Sequence, residues 1–211
     1  MKVRTKVLLI VVLLLIADQI LKIWVKTNMC LGQEYSLLGN KAYLLFIENP
    51  GMAFGMELRG SVGKFLLTLF RIVFIGIIAW YINGMIKRAV KPAVIYALTF
   101  MLAGAAGNLI DCLFYGLIFS GSTYTSVAQL FPTMGGYAPF MFGKVVDMFY
   151  CPLIDIVLPQ WFPVWGGERF VFFRPIFNIA DSAITCSIFY LLIFQRKTLS
   201  LLFGKNKTKQ K

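Results

Sequence analysis

The chain contains no histidine. That absence excludes Ser-His-Asp and Cys-His nucleophilic catalysis, HExxH zinc sites and histidine proton relays. Acids are scarce as well: nine aspartates and glutamates stand against twenty-one lysines and arginines, for a net charge of +12. The four cysteines, Cys30, Cys112, Cys151 and Cys186, show no CxxC or metal-ligand spacing. A Cys30–Cys151 disulfide is chemically possible, but nothing in the spacing calls for it. No metal and no cofactor is expected.

What the chain has in abundance is apolar surface. It is 59% hydrophobic with a mean hydropathy of +0.76. Four apolar windows stand out, at Val7–Val25, Phe65–Ile86, Ala93–Leu113 and Ile176–Phe194. Each is long enough to cross a hydrocarbon core of about 30 Å as a helix. In lipid the backbone must satisfy its own hydrogen bonds, so these windows read as helices. The expectation is a single integral membrane domain, 1–211, with an all-α core of four transmembrane helices. Loops 26–64 and 114–175 would connect them on one side.

The excess positive charge sorts the loops. Lys2, Arg4 and Lys6 precede the first window; Lys87, Arg88 and Lys91 join the second and third. Arg196, Lys197, Lys205, Lys207, Lys209 and Lys211 follow the fourth. The positive-inside rule puts these segments, and both termini, in the cytoplasm. The tail Lys205–Lys211 suits anionic lipid headgroups. Basic residues that flank spans, without a groove of interleaved aromatics, argue against nucleic acid as a partner. Met1–Ala17 has the basic start and apolar run of a signal peptide. No small-x-small cleavage site follows it, so it is expected to stay as the first helix.

Against this background the positions of the aspartates carry information. Asp18, Asp111 and Asp181 lie inside apolar windows, where a carboxylate costs roughly 2.5–3.5 kcal/mol on the lenient insertion scale. With the termini inside, all three fall near the outer ends of their helices. Asp18 and Lys22 are four residues apart and can pair. Gly104, Asn108 and Asp111 share a helix face, and Asn178 and Asp181 are three apart. Gly104 and Gly107 permit close helix approach. A polar cluster of helices one, three and four, open outward, follows. The same residues can also be read as structural: an Asp18–Lys22 ion pair, asparagines as interhelical hydrogen-bond partners, Arg71 snorkelling to headgroups. A small transporter would need polar groups along the full membrane depth, and the inner halves of these helices are almost wholly apolar. A purely structural membrane protein would leave Asp147 dispensable.

The outer loops have their own pattern. Tyr43–Ile47 reads as a strand of a small extracytoplasmic sheet, followed by a turn at Glu48–Gly55. Ser120–Gly143 is rich in Gly, Ser, Thr and aromatics, and an elaborated outer loop of this length usually has ordered structure. Asp147 follows that half of the loop 114–175, between apolar neighbours, and Asp155 reads as solvated or interfacial. Trp161–Trp165 and Phe170–Phe173 suit the membrane interface.

Taken in order, these residues resemble the lipoprotein signal peptidase (signal peptidase II) family of aspartyl peptidases. The motifs are Asp18-Gln19-x-x-Lys22, Asn49-x-Gly51-x-Ala53-Phe54, Gly104-x-x-Gly107-Asn108-x-x-Asp111, Val145-Val146-Asp147-x-Phe149 and Phe177-Asn178-x-Ala180-Asp181-Ser182. The resemblance implies catalysis by Asp147 and Asp181, with Asp18, Lys22, Asn49, Gly51, Gly104, Asn108, Asp111 and Asn178 supporting the site or the substrate. It implies a monomer in the bacterial inner membrane, in contact with lipid, that cuts prolipoproteins just before a diacylglyceryl-modified cysteine. Two close carboxylates sharing one proton can activate water and protonate the carbonyl without a metal. Two departures stand out. Cys112 occupies the place where the family usually has arginine, which removes a cation beside Asp111. The stretches on either side of Asp147 are also much longer than usual.

Overall fold

The computed structural model describes residues 1–51 and 60–203. The turn residues Ala53 and Phe54 and the tail Lys205–Lys211 therefore lie outside the described residues. Among the described residues, three helices are long and apolar enough to cross a membrane: α1 (Val3–Asn28), α2 (Gly60–Lys87) and the stretch Pro92–Ile118. The last comprises α3 (Pro92–Ile110), a π-helical turn over Asp111–Tyr115, and the short α4 (Gly116–Ile118). A shorter apolar helix, α5 (Ile179–Phe194), leads into α6 (Arg196–Phe203).

Six strands complete the described chain: β1 (Glu34–Leu38), β2 (Ala42–Asn49), β3 (Val145–Tyr150), β4 (Ile154–Val157), β5 (Arg169–Phe172) and β6 (Ile176–Phe177). An antiparallel sheet runs in the order β1-β2-β3-β6, and β4 and β5 pair separately. The sheet expected around Tyr43–Ile47 is thus present. Three boundaries differ from the sequence reading. Lys26, assigned to a loop, is in the last turn of α1. Asp147 belongs to an inner strand of the sheet rather than to an irregular loop. The fourth helix begins at Ile179, because Ile176 and Phe177 pair with Tyr150 and Phe149 and leave Asn178 between strand and helix. An apolar pair reads the same in either element, so hydropathy alone could not place that edge.

The residues group into two compact units. One comprises Met1–Gln19, Leu66–Leu109 and the chain from Ile179; the other comprises Ile20–Phe65 and Ile110–Asn178. In the first, Ile78, Ile82 and Met85 of α2 pack with Val94, Ile95 and Ala97 of α3 and Leu191 of α5. Small residues set the helix spacing here. A Cβ on Gly104 would run into the Ala180 carbonyl oxygen, and one on Gly107 would lie 2.7 Å from Asp18 Oδ2. Gly104 lets α3 approach the backbone of α5, and Gly107 leaves room for the Asp18 carboxylate, as lipid-embedded packing favours. In the second unit the core is built by Val25 and Met29 of α1, Leu44 and Phe46 of β2, Val146 and Met148 of β3, and Tyr115 and Phe119. Cys30, Cys112, Cys151 and Cys186 are all free thiols.

The glycine contacts make a prediction. Gly104→Ala must push α5 away from α3 and should cost about 2 kcal/mol or more, as overpacking does. Gly84 of α2 has nothing within 4 Å of the corresponding position. Gly84→Ala should instead stabilise by roughly 0.5–1 kcal/mol through helix propensity. Thermal unfolding of the two variants in detergent, followed by circular dichroism, should show shifts of opposite sign.

Candidate active site

In the second unit, Asp147 is buried on β3. Its Oδ1 accepts a hydrogen bond from Asn178 Nδ2 at 2.7 Å and its Oδ2 one from Asn49 Nδ2 at 3.2 Å. Both amides have fixed orientations. Asn49 Oδ1 accepts the Gly51 backbone N–H at 2.9 Å, which turns its NH2 toward the carboxylate. Gly51 has a φ of 110°, a left-handed value that favours glycine. Asn178 Nδ2 also donates to the Val146 carbonyl at 3.2 Å. The strand register sets Ile47 opposite Asp147 and Asn49 opposite Val145, which brings the end of β2 to Asp147.

Beneath this strand lies an ion pair buried on both sides. Lys22 Nζ is 2.8 Å from Asp111 Oδ2. The same Oδ2 accepts the backbone N–H of Val146 at 3.3 Å. Asp111 starts the π turn, a helical irregularity frequent at functional sites. The cation beside Asp111 is thus Lys22, from α1.

The first unit holds the other motif aspartate. Asp181 lies in the first turn of α5, where the helix dipole favours a negative charge. Its Oδ1 accepts from Asn108 Nδ2 of α3 at 2.7 Å. Asp18 plays a different part: its Oδ1 accepts the Ala180 backbone N–H at 3.0 Å, one of the otherwise unpaired donors at the start of α5. Gln19 Nε2 donates to Asp18 Oδ2 at 3.1 Å and to the Gly107 carbonyl at 3.3 Å. Asp18, Gly104, Gly107 and Asn108 thus fix the α5 start and the residue that follows Ala180.

One cluster escaped the sequence reading. Glu48 is almost wholly buried and ion-pairs with the buried Lys26 and, at 2.9 Å, with Lys144. Ser122 Oγ donates to Glu48 Oε1 at 2.8 Å. Lys26 Nζ also lies 5.0 Å from the Tyr137 ring centroid and 5.4 Å from that of Phe119, within cation–π range. Burial alone would raise the Glu48 carboxyl, but the two lysines hold it below its ordinary value. Tyr137, whose hydroxyl accepts the Lys144 backbone N–H at 2.7 Å, is pushed up by burial. The signal was available: Lys26 repeats Lys22 at helical spacing, and Glu48 directly precedes Asn49. Metal-binding groupings of three or more Cys, Asp or Glu are absent among the described residues.

Residues 10–196 match the family described as Signal peptidase (SPase) II. The chain belongs to that family. The lipoprotein signal peptidase of Porphyromonas gingivalis is 50% identical over 200 residues, covering 94% of this chain and 86% of that protein. The lipoprotein signal peptidase of Amoebophilus asiaticus is 35% identical over 193 residues, covering 90% and 77%. A bacterial membrane enzyme solved in meso at 2.3 Å shares the fold, with a TM-score of 0.59 at 22% identity over 98% of this chain and 95% of that one. Membership makes this chain a hydrolase of the aspartic peptidase class, in a family that removes signal peptides from prolipoproteins.

The Glu48 cluster yields a test of the peptidase's architecture. Glu48→Gln leaves Lys26 buried without its counter-ion and should cost about 3–5 kcal/mol, the usual penalty for breaking a buried pair. Because the folded carboxyl is held low, its contribution is complete above the ordinary glutamate range. It is lost as pH falls through the depressed folded value. Denaturant titrations between neutral and acid pH should show this loss in the parent and a smaller one in Glu48→Gln.

Proposed function

We propose that this signal peptidase II hydrolyses prolipoproteins with Asp147 and Asp181 as its catalytic carboxylates, cutting just before the diacylglyceryl-modified cysteine. The observation that carries the reading is how the buried acids are held. Asp147 and Asp181 are gripped by asparagine amides, whereas Asp111 and Glu48 are bound to lysines. A lysine-bound carboxylate is committed to its ion pair. A neutral amide donor orients a carboxylate without cancelling its charge. Chain connection supports their acting together, since Asn178, which holds Asp147, precedes Asp181 by only three residues.

In this reading one carboxylate, ionised, takes a proton from water as the oxygen attacks the scissile carbonyl carbon. The other, protonated, donates to the carbonyl oxygen. The proton gained by the first then passes to the leaving amide nitrogen as the C–N bond breaks, while the second takes back a proton from a hydroxyl of the collapsing tetrahedral intermediate, so one water is consumed and the dyad is restored. The roles of base and acid belong to the pair and are not assigned to either aspartate alone. Asp18, Lys22, Asn49, Gly51, Gly104, Asn108, Asp111 and Asn178 act as supports.

The membrane topology of the proposal has four spans, both termini cytoplasmic and the site near the outer face of the inner membrane. The 16 residues of α5 cover about 24 Å, somewhat short of the hydrocarbon core, and local thinning with Arg196 and Lys197 snorkelling accommodates the difference. The monomeric protein needs no cofactor for this chemistry.

Asp147→Asn and Asp181→Asn, made separately and shown to be folded, should each lower cleavage of a lipidated precursor peptide by at least about 10²–10⁴-fold, the usual worth of a general acid or base. Cleavage near the parent rate by either variant overturns the assignment. A peptide without the diacylglyceryl group should be cut far more slowly; equal cleavage would remove lipid recognition from the proposal.

A further inference from the structure

The connection between β3 and β6 contains the β4–β5 hairpin, for which the peptide-bond chemistry has no use. Ile154 stands opposite Phe172 and Ile156 opposite Phe170, while Asp155 faces Val171 and Val157 faces Arg169. Side chains alternate across a strand, so Ile154, Ile156, Phe170 and Phe172 share one face and Asp155 and Arg169 the other. Arg169 grips Asp155 bidentately, Nε to Oδ1 at 2.7 Å and Nη2 to Oδ2 at 2.5 Å. The polar face is thereby neutralised by its own ion pair. The opposite face stays open, with Ile154, Ile156 and Phe172 exposed, and the loop joining the strands holds Trp161 and Trp165, 79% and 52% exposed.

An isolated two-stranded hairpin is marginal in water, and a contiguous exposed apolar face marks a contact surface. Its position limits what can cover it. Both ends are tied to the main sheet, since Tyr150 pairs with Ile176. Val146 of that sheet is hydrogen-bonded to Asp111, inside the apolar span Pro92–Ile118. Four residue steps lead from Tyr150 to Ile154, a reach of about 13 Å at most. A surface this close to a span end, carrying two tryptophans and no net charge on its polar pair, matches the membrane–water boundary, where tryptophan concentrates.

We propose that the β4–β5 hairpin is an interfacial anchor. Its Ile154–Ile156–Phe172 face and its Trp161–Trp165 loop lie among the headgroups and upper acyl chains of the lipid leaflet beside the sheet. The anchor holds the strand that carries Asp147 at a set height against the lipid. The assignment of that leaflet as the outer one rests on the proposed topology; the anchoring itself does not.

Tryptophan fluorescence tests it. Trp24 and Trp80 lie in spans and would be quenched by lipid in any case, so both are changed to Phe, leaving Trp161 and Trp165 as reporters. In phosphatidylcholine–phosphatidylglycerol vesicles the emission should be blue-shifted. Lipids brominated near the ester end of the acyl chain should quench it more than those brominated near the methyl end. Water-like emission with full access to iodide overturns the proposal. So does blue-shifted emission indifferent to brominated lipid, which would mean that protein covers the face. A second readout is kinetic: Trp161→Ser/Trp165→Ser should raise KM for vesicle-embedded lipidated substrate roughly tenfold with kcat unchanged, and an unchanged KM counts against the anchor. The quenching needs no catalysis, so failure of the Asp147–Asp181 assignment leaves it readable.

Discussion

The Lys22–Asp111 ion pair carries the sheet on which the site is built. Taking either charge out of water alone would cost several kcal/mol, so the two can be buried only together and in good geometry. The pair is 2.8 Å apart, and the carboxylate also accepts the Val146 N–H. A helix, the π turn and β3 therefore meet at one carboxylate, one residue before Asp147. Cys112, the next residue after Asp111, is a buried free thiol.

A second set of constraints holds Asp181. Lipid-embedded helices gain little from the hydrophobic effect against one another, so close packing and interhelical hydrogen bonds carry the association. Gly104 and Gly107 remove the side chains that would keep α3 from its neighbours. Asp18 then receives the Ala180 N–H and Asn108 reaches Asp181. An acid that hydropathy marks as costly becomes the cap of a neighbouring helix, which is a reason for its presence that requires no chemistry of its own.

The long insertions on either side of Asp147 have different physical characters. The first is tied down: Ser122 and Tyr137 close over the Glu48–Lys26–Lys144 cluster, at the residue next to Asn49. The second is a hairpin with one neutralised polar face and one apolar face left open. One insertion thus stiffens the support of the site, and the other presents a surface outward.

Much of this was legible in the sequence. Hydropathy and charge mark the apolar helices, the spacing of Gly104, Asn108 and Asp111 points to a packed polar face, and five ordered motifs identify the family. These signals are local in the chain, and helical periodicity or a run of apolar residues is enough to read them. The partners of the buried charges were not legible. Spacing along one helix suggests only near neighbours, whereas Lys22 reaches Asp111, and Lys26 and Glu48 find each other across 22 residues. Asp147 read as a loop residue because a short apolar strand has no period of its own. By itself the sequence determined which segments are apolar helices, which family the chain belongs to and which acids are candidates for chemistry. Only the tertiary structure decided which acids are held by lysines and which by amides, because a buried charge is paired by proximity in space, and chain separation does not limit that.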